Sequence, residues 1–394
     1  MGQNSNIQEV IKHLLDQKNP FPATMLYQLS DLSREDCRAL RGVWNNLPLT
    51  RRRSLMEDLV NLSESDHLLM FEEVGKIALD DPDPEVLISA IDLLFQAEDE
   101  HLVPVFLKLL QQPQQNDRVR AAAANALGPY VFLGEIEELQ PELLRTIEDA
   151  LLKAYAEDVS DLVRRRALES LGYSSREEVP PLLRSASASP EAAWIESAMF
   201  AMGKSADDQW QDLVLDNLDH EDLNVRIQAI HAAGELSLNQ ARQSLIKVLN
   251  QELIDQDIRH KAIWALSQIG GEDIESLFER LLEETGDEDE MELLEESLDE
   301  LNFTNDKANF DLLDVEFQDL YGGIDHNHHH AEEEDLDDAE DLEQNEDETF
   351  DRHSKGYDQE GWQRYVDDDD DNLVDDEEFD DFDEQDDSEE DIEY

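Results

Sequence analysis

The run Asp325-His326-Asn327-His328-His329-His330 is the densest group of potential metal ligands in the chain, and clustered neutral imidazoles take nickel, copper or zinc. A catalytic metal centre needs preorganised ligands and an open position, which a stretch between two compositionally distinct regions does not supply. Adventitious metal binding follows, and no cofactor is expected. Asp367–Asp371 would attract calcium only loosely, because the spaced glycine and closing glutamate of an EF-hand loop are missing. Cys37 is the only thiol, so an internal disulfide framework and a thiolate zinc cluster are excluded, and no partner base is discernible for it. There is no phosphate-cradling glycine loop and no Gly-x-Ser-x-Gly elbow. The triplets Arg51-Arg52-Arg53 and Arg164-Arg165-Arg166 are dense enough to hold an anionic segment, the chain's own acidic end included. The chemistry on offer is that of binding, and no catalytic residues are assigned.

Charge narrows the partner. The 394 residues carry 100 Asp and Glu against 30 Lys and Arg, a formal net charge of −70. Such a field repels DNA, RNA and anionic lipid, so neither nucleic acid nor membrane is an expected partner. Residues 331–394 alone hold 34 acidic and 3 basic residues, too little apolar surface to offset ordering, and are expected to form a disordered acidic C-terminal tail. Its aromatics punctuate the acid, with Trp362, Tyr365, Phe379 and Phe382 as candidate anchors on a protein partner with a basic surface. No basic or apolar leader opens the sequence and no segment reaches membrane-span length; with one cysteine, a reducing, cytoplasmic location is the expectation.

These side chains must be positioned by what precedes the tail, and there a ten-residue phrase recurs. It has an apolar first residue, often Arg second, Ala fifth and Gly tenth, as in Val119–Gly128, Val163–Gly172 and Val225–Gly234. A divergent copy spans Trp194–Gly203, and copies lacking the glycine begin at Val86 and Ile258, so the starts are 33, 44, 31, 31 and 33 residues apart. A period of this size means stacked repeats. Second helical patterns lie between the phrases, at 101–110, 179–184, 210–218, 241–249 and 274–282, which makes each repeat a helical hairpin and the chain all-α. Asp83, Asp117, Asp161, Asp222 and Asp257 are placed to cap the phrase helices. The tenth-place glycines serve a left-handed helix end or a close helix contact. The 44-residue interval implies an inserted loop or extra turn around Tyr130–Gln140. Ser33-Arg34-Glu35-Asp36 reads as a capping box opening a helix to about Leu47, with a second helix through Arg51-Arg52-Arg53 to Leu62.

The phrases resemble HEAT-like repeats of the phycobilisome-lyase type. The resemblance implies a right-handed α-solenoid of about seven to nine hairpins by period. Its expected divisions are irregular N-terminal capping repeats over 1–80, the repeat solenoid over 81–303, a linker with the histidine cluster over 304–330, and the tail over 331–394. Deoxyhypusine hydroxylases of this fold hold two irons with several His-Glu pairs, whereas this chain offers only His220-Glu221. A basic groove, as in HEAT-like DNA glycosylases, does not fit residues 1–330, which sum to −39. No diagnostic bilin-lyase ligand motif transfers.

On a helical wheel, phrase positions 1, 5, 8 and 9 form one face and 3, 7 and 10 the opposite one. In HEAT solenoids the second helix of each hairpin lines the concave side, so the resemblance implies a protein-binding groove lined by Arg165, Glu169, Glu196, Phe200, Ile227, His231, His260 and Trp264. The second-place Arg120, Arg164, Arg226 and Arg259 read instead as structural, each pairing with an acid of the preceding turn or the adjacent repeat. The function that follows is a non-enzymatic interaction or assembly scaffold. Two alternatives stand beside it: a bilin-lyase-like or chromophore-handling subunit, and a nucleic-acid mimic acting through the tail. If the groove residues are free, Trp264→Ala and Phe200→Ala would weaken partner binding and leave thermal stability nearly unchanged.

Overall fold

Five of the six phrases follow an extended residue with a short polar side chain, Asp83, Asn116, Ser160, Asp222 or Asp255, the sixth follows Glu191, and no proline interrupts the helical run after its first turn. The computed structural model describes residues 7–301, apart from 252 and 272. The phrase helices are α5 (Pro84–Asp92), α7 (Asp117–Asn125), α10 (Asp161–Ser170), α12 (Ala192–Lys204), α14 (Leu223–Glu235) and α16 (Gln256–Ile269). Asp83 caps α5 by accepting from the Val86 N–H at 3.3 Å, and Asp222 caps α14 by accepting from Asn224 and Val225 at 3.0 and 3.2 Å. Three expected caps are corrected: Asn116, Ser160 and Asp255 occupy the cap positions, and Asp117, Asp161 and Asp257 fall inside the first turn. There Asp161 takes Arg164 at 2.8 Å, and Asp117 accepts from the Ser160 hydroxyl at 3.1 Å.

The first helices of the hairpins are α4 (Glu72–Ala78), α6 (Val103–Leu110), α9 (Pro141–Glu157), α11 (Val179–Ser187), α13 (Gln211–Asn217), α15 (Arg242–Leu249) and α17 (Ile274–Glu284), the last followed by a helical run at 288–301. Proline opens α6, α9 and α11, where its missing N–H costs nothing. The hairpin interior is the core. Val119 and Ala123, Val163 and Ala167, and Val225 and Ala229, at phrase positions 1 and 5, are all 0% exposed. Every described regular element is helical, and the hairpins stack into an α-solenoid in which α5, α7, α10, α12, α14 and α16 pack each on the next.

Before the first phrase, α1 (Ile7–Leu15) packs on α2 (Arg34–Trp44), which packs on α4, while α3 (Leu49–Ser65) packs on α5. Helices α2 and α3 are therefore a hairpin of the same stack without the phrase. Ser33 caps α2 as the box predicts, accepting from the Asp36 N–H at 3.2 Å. The insertion is a whole helix, α8 (Gly128–Glu135), not a loop. Its Tyr130 hydroxyl donates to the Ala97 carbonyl at 2.7 Å, pinning it to the preceding repeat.

The glycines have a single role. A Cβ on Gly172 would lie 2.6 Å from the Ala201 carbonyl oxygen and 2.7 Å from its Cα. On Gly203 it would lie 3.0 Å from Ala232 Cα, and on Gly234 2.9 Å from Ala265 Cα. Each partner is the eighth residue of the next phrase. The tenth-place glycine is thus where one second helix touches the next, and its backbone stays helical. Gly172→Ala should cost about 1–3 kcal/mol through overpacking. Gly42→Ala, mid-helix with nothing within 4 Å of its Cβ, should stabilise by about 0.5–1 kcal/mol. Urea unfolding midpoints of the two variants check the opposite signs.

Candidate functional site

The second helices α12, α14 and α16 bring the seventh residues of their phrases into one line. The Phe200 and His231 rings lie 6.4 Å apart at 11°, and His231 and Trp264 lie 4.6 Å apart at 19°. Three stacked rings thus cross three consecutive repeats. Cations flank both ends, Lys204 Nζ at 5.5 Å from the Phe200 ring and Lys261 Nζ at 5.4 Å from the Trp264 ring. Glu235 ties the ladder together, accepting from Lys204 at 2.9 Å and standing 3.6 Å from His231 Nε2.

Of the expected groove residues the structure stacks Phe200, His231 and Trp264 on one another, and several of the set are less exposed than the wheel implies. Glu169, Phe200 and His231 are only 1%, 2% and 2% exposed, and Arg165 is buried too. Glu196, Ile227, His260 and Trp264 are half-buried. The reason is geometric: a second helix meets its hairpin partner and a neighbour on either side, so its buried arc is wider than a two-helix wheel allows. Arg166 and Glu169, both buried, pair at 2.8 Å. Among the described residues, Asn125 Oδ1, Glu169 Oε1, Gln228 Oε1 and His260 Nε2 on these second helices are buried and have no hydrogen-bond partner. Asn125 and Gln228 were not among the expected site residues. Their signal was present, a polar side chain at the fourth or seventh place of an otherwise apolar phrase.

The structural reading of the second-place arginines holds for three of them. Arg120 pairs with Asp158 of the next repeat and Arg164 with Asp161, and Arg259 grips Glu290 with two bonds of 2.9 Å. In the N-terminal triplet, Arg51 donates to the Asp16 and Asn19 carbonyls, Arg52 reaches Asp81 at 2.6 Å, and Arg53 forks onto Asp83 at 2.9 and 2.7 Å. The Arg53 bonds hold the Asp83 carboxyl below its usual range. That triplet fastens α3 to its neighbours.

Reactive groups elsewhere are quiet. Burial, then the contact with Glu73 at 3.5 Å, push the Cys37 thiol up, away from nucleophilic thiolate. His220 Nδ1 accepts from the Asp222 N–H at 3.0 Å and so belongs to the turn before α14. Burial raises Glu148, which accepts from the Ser174 hydroxyl and so links α9 to the turn after α10. Among the described residues no three His, Cys, Asp or Glu side chains converge on a metal position, and no helix is long and apolar enough to cross a membrane. The histidine run at 326–330 and the anchors Trp362, Tyr365, Phe379 and Phe382 lie outside the described residues.

A family model for HEAT repeats matches residues 71–149, 180–267 and 212–299. The chain belongs to the HEAT-repeat family. No curated protein matches it. Among solved structures, YibA of Escherichia coli is 17% identical over 73% of this chain and 98% of its own, with a TM-score of 0.38. Human deoxyhypusine hydroxylase is 16% identical over 75% of this chain and 96% of its own, at 0.31. The CpcE–CpcF phycocyanin lyase complex of Nostoc is 18% identical over 58% of this chain and 94% of its own, at 0.38. The HEAT assignment rests on the family match and on the helices themselves, not on these likenesses.

Burial makes Phe200 a support and not a free contact. Phe200→Ala should lower unfolding free energy by about 3–5 kcal/mol. A calorimetric melting temperature within a degree of the parent would instead return Phe200 to the set of freely exposed contacts.

Proposed function

We propose that this HEAT-repeat protein is a non-enzymatic interaction scaffold that recognises another protein along the α12–α14–α16 side of its second helices. The observation that carries the reading is the ladder Phe200–His231–Trp264 with a lysine over each end. Buried rings fix the spacing, while half-buried Ile227, His260 and Trp264 offer apolar and polar edges beside them. Rigid aromatic edges set among charged groups are the usual composition of an energetic interface centre. Stacked hairpins suit this role because each repeat contributes one rung to an extended surface.

Affinity capture from the source cell's extract tests the reading with the full chain, its Trp264→Ala variant and a Lys153→Glu control on the exposed side of α9. Loss of an interface anchor costs about 2 kcal/mol or more, roughly thirtyfold in affinity. The expected result is a partner retained by the parent and the control and lost by Trp264→Ala at unchanged helicity. Equal retention by all three would overturn the proposal.

A further inference from the structure

The apolar side chains that the fold leaves in water are unevenly spread. Among the described residues ten large ones are exposed, and five of them, Leu15, Tyr27, Leu49, Leu68 and Met70, lie before α4, in less than a quarter of the described length. Tyr27, Leu68 and Met70 are 54%, 87% and 52% exposed. Their backbone is held in place. On the α3–α4 connection the Leu68 N–H donates to the Asp66 carboxylate at 3.1 Å, Leu69 to the Asp66 carbonyl at 3.1 Å and Met70 to the Ser30 hydroxyl at 3.0 Å. The Met70 carbonyl accepts in turn from the Asp31 N–H at 2.9 Å. Leu69 packs against the core while its neighbours on either side stand in water. Tyr27 lies one turn of the 3₁₀ helix Ala23–Leu29 ahead of Ser30, and side chains three apart eclipse there, which sets it beside Met70. Tyrosine, leucine and methionine thus form one fixed apolar patch, and aromatic residues and methionine are enriched at interfaces.

Charge marks the same stretch. Residues 1–70 hold nine acidic and eight basic residues, a net of −1, and the other 324 residues carry −69. Adding Asp81 and Asp83, the partners of Arg52 and Arg53, leaves the stretch within a few charges of neutral. Two copies of a chain at −70 repel wherever their acidic surfaces approach, and salt screens that repulsion beyond about 8 Å, so local charge decides where they can touch. A partner steered by positive charge goes to the acidic remainder. A neutral apolar patch fits a surface of its own kind, and a two-fold contact supplies one by setting the patch against itself. We infer that Tyr27, Leu68 and Met70 are the centre of a two-fold contact with a second copy of this chain. The contact is separate from the α12–α14–α16 side and does not rest on the function proposed for it.

Sedimentation equilibrium of the full chain from about 1 to 100 μM, the range in which a modest interface fills, tests the inference. The expected mass at the upper end is twice 45.2 kDa, and it persists in 1 M sodium chloride because the contact is apolar. Leu68→Glu with Met70→Glu, and separately Tyr27→Lys on the other element, should each raise the dissociation constant at least thirtyfold, since a two-fold contact meets every substitution twice. Far-UV circular dichroism should not change, because these side chains stand in water. Leu253→Glu, at an equally open site on the α15–α16 connection, should keep the doubled mass. A parent that stays at 45.2 kDa to 100 μM would overturn the inference, as would a doubled mass that survives both patch variants or is lost with Leu253→Glu. A doubled mass that halves in 1 M salt would also overturn it, by assigning the association to charged segments.

Discussion

The contact between a tenth-place glycine and the eighth residue of the next phrase sets the geometry on which everything else depends. Gly172 on Ala201, Gly203 on Ala232 and Gly234 on Ala265 bring successive second helices to backbone contact distance. Only at that spacing do the seventh-place side chains meet face to face, as His231 and Trp264 do at 4.6 Å. At the α7–α10 joint a serine takes the eighth place, and the Ser170 hydroxyl donates to the Ala124 carbonyl at 2.9 Å. The small residue is thus a joint that positions the rung beside it, and the same periodicity that builds the fold builds the ladder.

Much of this was legible in the sequence because a repeat multiplies weak signals. One Val-Arg-x-x-Ala phrase says little; six of them fix the hairpins, the core positions and the pairing of Arg120, Arg164 and Arg259 with nearby acids. What could not be read came from contacts between repeats. The wheel treats one helix against one partner, so it left Glu169, Phe200 and His231 facing outward, whereas neighbours on both sides enclose them. Helix α8 was hidden because Gly128 and Pro129 look like a loop, yet proline at a helix start is favourable. Helices α2 and α3 were legible from the Ser33 capping box and the run to Leu62, but their place in the stack was not, because they lack the phrase. Among the caps, Asn116 and Asp255 won over Asp117 and Asp257 because the capping residue must be extended, and the acid after it is already helical.

The electrostatics follow from the same arrangement. A chain at −70 places arginines where carboxylates from the next turn or next repeat can answer them, and these pairs run along the stack from Arg52–Asp81 to Arg259–Glu290. The cations beside the ring ladder, Lys204 and Lys261, also face aromatic rings, Lys204 while it pairs with Glu235.

The most direct measurement is photo-crosslinking from the side of the ring ladder in the intact chain. His260, half-buried at the third place of its phrase, would be replaced by benzoylphenylalanine, with the same probe at Lys153 on α9 as the comparison. Irradiation in the source cell's extract, followed by peptide mass spectrometry, should give adducts between position 260 and a protein partner, and none from position 153. Adducts that form equally from both positions, or none from position 260, would contradict the account.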